Sequence, residues 1–147
     1  MKTRWKILIA IGLGILFSYL SRATPPAQSH HPDHHPTEYS LADANRTINE
    51  KFFYGGLPIS KIRIHLTDLS ADDEMGRVDF LDTGAFLISI DKGTNPTEKE
   101  AEFTMIHEDC HIWDKINKIN EGIDSHNQNF QDCMIHIAER GGFKDLW

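Results

Sequence analysis

The sequence predicts a small α+β domain in which one helix precedes two or three strands and two further helices follow. Three observations carry this prediction. Apolar residues recur at helical spacing through Leu41, Ala44, Ile48 and Phe52, then alternate at strand spacing from Ile62. Helical spacing returns after a capping signal at Thr97. At 147 residues the chain has room for one domain.

The first third does not read as core. Lys2, Arg4 and Lys6 precede an apolar run from Ile7 to Leu20, 14 residues long. A spanning helix needs about 20 apolar residues, so this run fits the h-region of a signal segment better. Ser21-Arg22-Ala23 places small residues where a signal peptidase reads, and cleavage after Ala23 is expected. The alternative is an uncleaved anchor touching the membrane only through residues 5–20, with its cationic end held inside. Either way the domain is expected to be exported, periplasmic or secreted. Residues 24–36, TPPAQSHHPDHHP, are rich in proline and histidine and read as an extended linker. Its His30, His31, His34 and His35 are either a loose metal-binding tract or incidental members of a polar spacer.

From Thr37 to Trp147 the pattern is globular. The first helix ends at Gly55-Gly56, and Pro58 keeps it from restarting. Ile62, Ile64 and Leu66 alternate with Arg63 and His65 as in a half-buried strand. A second strand passes through Val78 and Phe80, and a third carries Phe86, Ile88 and Ile90 on one face. The acidic stretch Ser70–Glu74 between the first two reads as a solvated loop. Thr97 and Glu100 stand as in a capping box, opening a helix expected to reach Asn117. Ser125-x-x-Gln128 offers a similar cap for a last helix through Phe130, Cys133, Met134 and Ile137, stopped by Gly141-Gly142.

Charge excludes one class of partner. Without residues 1–23 the chain keeps 22 acids against 11 Lys and Arg, a formal charge of −11. Nucleic-acid binding depends on cations meeting phosphates, so no nucleic acid is expected as a partner. Two cysteines, Cys110 and Cys133, are too few for a zinc ribbon or a dense disulfide framework. Both fall on inward helix faces and should pack within reach of each other. Bonded and free states both remain open.

The chemistry is carried by His107-Glu108-Asp109-Cys110-His111. At about 100° per residue, the two histidines lie one turn and about 40° apart, so their imidazoles can converge on one ion. Glu108 lies about 60° beyond His111, placed to act on metal-bound water without being a ligand. The pattern therefore supplies two zinc ligands and a general base. With nine histidines and nine glutamates, chance produces it roughly 3 times in 100, so its place on a capped amphipathic helix adds weight. Phe103, Ile106, Cys110 and Trp113 form the neighbouring, buried stripe. A catalytic zinc takes a third protein ligand. The metzincin extension is excluded, because Asp114 and Asn117 stand where Gly and His are needed. The remaining candidates are Glu121, Asp124, His126, His136 and Glu139. His126 is favoured, since a last helix folding back on its Phe130–Cys133–Ile137 face would bring His126 to the pair.

Three separated stretches resemble the SprT-like family of zinc metallopeptidases. They are Ile48–Pro58 with its Phe53-Tyr54-Gly55-Gly56-Leu57-Pro58 ending, His107–Trp113, and His126-Asn127-Gln128-Asn129-Phe130. They are similar to the family's Phe-x-Gly-x-Leu-Pro, H-E-M-C-H-x-W and H-G-x-x-F segments; the terminal Gly142–Trp147 also resembles some members. The resemblance implies a zincin-like minimal fold and Zn2+ held by His107, His111 and His126. It further implies Glu108 as catalytic base and a protein or peptide substrate. Asp109 and Asn127 depart from the family's hydrophobic residue and glycine, and the DNA-directed basic and zinc-ribbon segments are lacking. Tyr54, His65 and His136 are candidates for stabilising an oxyanion. Two rival expectations are a zinc-buffering module fed by the linker and a domain whose metal only staples the fold.

Overall fold

A computed structural model of the chain describes residues 34–117 and 126–144, which form three helices and a three-stranded mixed sheet. Residues 1–23, expected to be a signal segment, most of residues 24–36, Glu121 and Asp124 lie outside the described residues. In chain order the elements are α1 (Glu38–Phe52), a 3-10 turn (Ile59–Lys61), β1 (Ile62–Thr67), β2 (Gly76–Phe80), β3 (Phe86–Asp91), α2 (Glu98–Asn117) and α3 (Gln128–Glu139). The arrangement is α+β, with the third expected strand present. No helix among the described residues is long and apolar enough to cross a membrane.

Thr37 opens α1 through a reciprocal capping box with Ser40, satisfying two amides that helix geometry would orphan. Leu41, Ile48 and Phe52 bury one stripe. Asn49 continues that stripe, and its side chain accepts from the Leu57 amide (2.9 Å) and donates to the Leu57 carbonyl (3.3 Å), so the turn after the helix is tied back to it. Gly56 in that turn has no room for a side chain: a Cβ there would lie 2.6 Å from the Trp113 ring of α2. The end of the linker is also anchored, because the Glu98 amide donates to the His34 carbonyl (3.0 Å). His35 Nδ1 stands 3.0 Å from the Pro96 carbonyl.

The strand order is β1-β3-β2, with β1 parallel and β2 antiparallel to β3. Central β3 is the most buried, with Ile88 and Ile90 fully enclosed, as expected of a strand paired on both sides. Among the described residues β2 pairs only with β3, and it packs against α2. Two buried polar residues set that placement. Asp91 ends β3 and accepts from the Leu69 and Thr94 amides (2.7 and 2.8 Å), and these bonds hold its pKa below the usual carboxylate value. Asn95 donates to the carbonyls of Met75 (2.9 Å) and Asp91 (2.8 Å) and accepts from Thr104 Oγ1 of α2 (2.6 Å). The residue before β2 is thereby fixed over the first turns of α2.

Thr97 and Glu100 cap α2 as the sequence predicts: Thr97 Oγ1 donates to Glu100 Oε2 (2.8 Å) and the Glu100 amide donates to Thr97 Oγ1 (3.3 Å). The start of α3 differs from expectation. Asn127, not Ser125, is its cap, accepting from the Phe130 amide at 3.1 Å. Asparagine caps as well as serine, and Asn127 stands immediately before Gln128, the first residue of the helix, while Ser125 lies outside the described residues. Phe130, Cys133, Met134 and Ile137 form the expected buried face of α3. Cys110 and Cys133 are joined in a disulfide, with Cα atoms 5.9 Å apart, which staples α3 to α2.

Candidate metal centre

The α2 stripe that faces α3 is half-buried at His107 and His111, one helical turn apart. His126 lies just before the cap of α3 and faces the same point. Its Nε2 is 3.1 Å from His107 Nε2, which in turn is 3.2 Å from His111 Nε2. One nitrogen from each of the three rings falls within a common 4.8 Å, close enough to bind one metal ion. Phe130 forms the floor beneath all three. Its ring stacks on His111 at 4.4 Å and meets the His107 and His126 rings edge-on, each at 4.7 Å. An aromatic wall of this kind limits ring rotation and keeps water off one side.

The donor set of three imidazoles suits a borderline divalent cation such as zinc. His107 is held neutral by its surroundings. Burial and the neighbouring His111 and His126 push the His107 pKa down to about 3, so its nitrogen is available as a ligand through the physiological range.

Glu108 occupies the adjoining face of α2 under β2 and is 4 % exposed. Gly76 makes that approach possible. A Cβ on Gly76 would lie 2.4 Å from Thr104 Cγ2, so a side chain would push the strand off α2, where Glu108 Oε1 is 3.4 Å from the same point. Burial, then the charges of Asp109 and Glu74, raise the Glu108 pKa to about 8, partly offset by the Val78 backbone amide. Asp109 is fully buried, and burial raises its pKa to about 8 against the lowering effect of Asn45. Asn45 Nδ2 donates to both its oxygens, at 3.1 and 3.2 Å, joining α1 to α2 directly behind the histidines.

Of the third-ligand candidates within the described residues, His126 joins the pair, whereas His136 and Glu139 do not. His136 is ten residues along α3, about 15 Å by helical rise. Its ring lies against Tyr54 (6.2 Å), and the Tyr54 hydroxyl accepts from Arg140, whose guanidinium also covers the Tyr54 ring. Tyr54 and His136 thus form a surface group at the far end of α3. His65 is on β1, the sheet edge opposite β2. None of the three oxyanion candidates is brought to the histidines. Two features of the site escaped the sequence reading. Phe130 as the aromatic floor had a usable signal, because it stands one turn from His126 in the same column. The bond from Asn127 Nδ2 to Asp114 Oδ2 (2.9 Å) had none, since both look like ordinary polar surface. No family model matches the chain, and no curated protein matches it.

Proposed function

We propose that the chain is an exported, zinc-dependent metallopeptidase of the SprT-like, zincin type, acting on a protein or peptide substrate. The observation that carries this reading is the convergence of three imidazole nitrogens, two of them from the helix that also bears the buried Glu108. His107, His111 and His126 would hold the ion as neutral ligands, leaving its charge undiminished. Zinc bound there supplies Lewis acidity, acidifying water and polarising a carbonyl.

Glu108 is the proton carrier. With its pKa raised to about 8 in the metal-free state it is poised near neutrality, and a nearby divalent cation favours its ionised, base-competent form. It takes a proton from water at a carboxylate oxygen and returns it to the leaving amine. Among the described residues the outer edge of β2 has no strand partner, and an extended polypeptide would pair with it there at backbone groups other than the Val78 amide, which Glu108 already holds. Phe80 and Met75, both exposed at the ends of this edge, offer apolar contacts to its side chains.

Glu108→Gln tests the reading. The amide keeps the shape and cannot accept the proton, so zinc per chain should stay near that of wild type while peptide hydrolysis falls about 10²- to 10⁴-fold. Hydrolysis at the wild-type rate would end the metallopeptidase reading. A wild type that binds one zinc and cleaves nothing in a mixed peptide library would instead favour a zinc-buffering or structural module.

A further inference from the structure

We infer that Asp114 and Asn127 form a positioning clamp that sets the place of the third ligand, and with it the metal affinity of the site. Continuing α2 at about 100° per residue, Asp114 falls two turns beyond His107 and about 20° from it, on the stripe that bears the ligands. It is not among the three residues whose ligand atoms converge. Its Oδ2 accepts from Asn127 Nδ2 at 2.9 Å, across 13 residues of chain. The other oxygen, Oδ1, is buried and has no hydrogen-bond partner among the described residues. Asn127 is the Asp114 carboxylate's one hydrogen-bond partner there, so losing it would leave a half-buried carboxylate without a side-chain partner among the described residues.

Asn127 is bonded at both ends of its amide. Oδ1 accepts from the Phe130 amide (3.1 Å) and caps α3, while Nδ2 is spent on Asp114. The residue immediately before it is His126, whose carbonyl accepts from Gln131 Nε2 (3.1 Å). One side chain therefore couples three things: the start of α3, the end of the α2 ligand stripe, and the backbone that aims the His126 imidazole. Glycine at this position could not make either side-chain bond. The cysteine bridge fixes α3 lower down, at Cys133, but leaves the first turn to be placed by these polar contacts. Metal sites lose affinity when the groups orienting their ligands are removed, because the ion must then order the ligand itself.

This inference rests on the metal-binding reading of the three histidines and not on peptide hydrolysis. The test is zinc affinity of the full chain, by competition with a chromophoric chelator, alongside thermal unfolding of the metal-free proteins. Asp114→Ala should weaken zinc binding about 10- to 100-fold. Asp114→Asn should bind within a few-fold of wild type, since its carbonyl still accepts from Asn127. Asn127→Asp keeps the helix cap but sets two carboxylates against each other, and should weaken binding at least as much as Asp114→Ala. The double variant Asp114→Asn/Asn127→Asp restores one donor and one acceptor in reversed order and should recover most of the affinity. A general loss of fold would lower metal-free stability in step with affinity and would not be rescued by the swap. Wild-type affinity in Asp114→Ala, or no rescue in the double variant, overturns the clamp. A wild type that binds no zinc would instead overturn the metal-site reading.

Discussion

Reduction of the Cys110–Cys133 bridge should destabilise the metal-free protein by about 3.4 kcal/mol. The bridge closes a loop of 23 residues that contains His111, His126 and the whole connection from α2 to α3. In the chain-entropy model such a loop costs the unfolded state about 11 cal/mol/K, which is about 3.4 kcal/mol at 25 °C. A folded region of roughly 110 residues unfolds with an entropy near 0.23 kcal/mol/K, so the midpoint should fall by about 15 °C. The experiment compares guanidinium and thermal unfolding of the chelator-treated protein before and after a phosphine reductant, with thiols counted in each. The Cys110→Ala/Cys133→Ala variant should fall further, because Cys110 is fully enclosed and truncation there also leaves a small void. Zinc should recover part of the loss in the reduced protein, since binding of N alone adds stability by mass action. Coincident unfolding curves for oxidised and reduced protein would refute the loop argument. A reduced protein that no longer folds at all would show that the bridge does more than restrict the unfolded chain.

His126→Ala should lose most bound zinc and the zinc-dependent rise in melting temperature, while His136→Ala keeps both; metal per chain after dialysis decides between them. Stability of the metal-free protein should fall as pH rises from about 4.5 to about 8, most steeply above about 6.5, because folded Glu108 and Asp109, with pKa values near 8, retain protons that the unfolded chain has released. Below about 6.5, His107 works in the opposite sense: its depressed pKa makes the unfolded chain bind more protons, so its contribution is lost as pH falls toward about 3. Asp109→Asn should flatten the upper limb and stabilise the protein at pH 8. Its amide can both accept from Asn45 Nδ2 and donate to Asn45 Oδ1, which is buried and without a partner. Thermal melts in chelator across pH 5–9 test this, and an unchanged slope in the variant would remove Asp109 from the account.

Local patterns made much of this chain legible without coordinates. The α1 stripe through Leu41, Ile48 and Phe52, the alternation in β1 and β3, and the Thr97–Glu100 cap are each written within a few residues. Short-range sterics and hydrogen bonding decide such features, so reading them needs no knowledge of the rest of the fold. The one-turn spacing of His107 and His111, and the sideways offset of Glu108, are of the same kind. Helix geometry places them once the helix is granted.

Long-range packing decided the remainder. Sheet order was not written locally, because placing β2 on the far side of β3 depends on Asn95 and Asp91 binding carbonyls and amides brought in from residues 69–75. The column that His126 shares with Phe130, Cys133 and Ile137 already favours it over His136; the contacts that hold α3 at that height on α2, the disulfide and the Asn127–Asp114 bond, appear only in the tertiary structure. The two departures from the resembled family, Asp109 and Asn127, looked like noise as letters. In three dimensions one is a buried acid held by Asn45 and the other caps α3 and grips α2. A polar residue has no periodic signature, and its meaning lies in the partner it meets. That partner is 64 residues away for Asp109 and 13 for Asn127, beyond the reach of any local pattern.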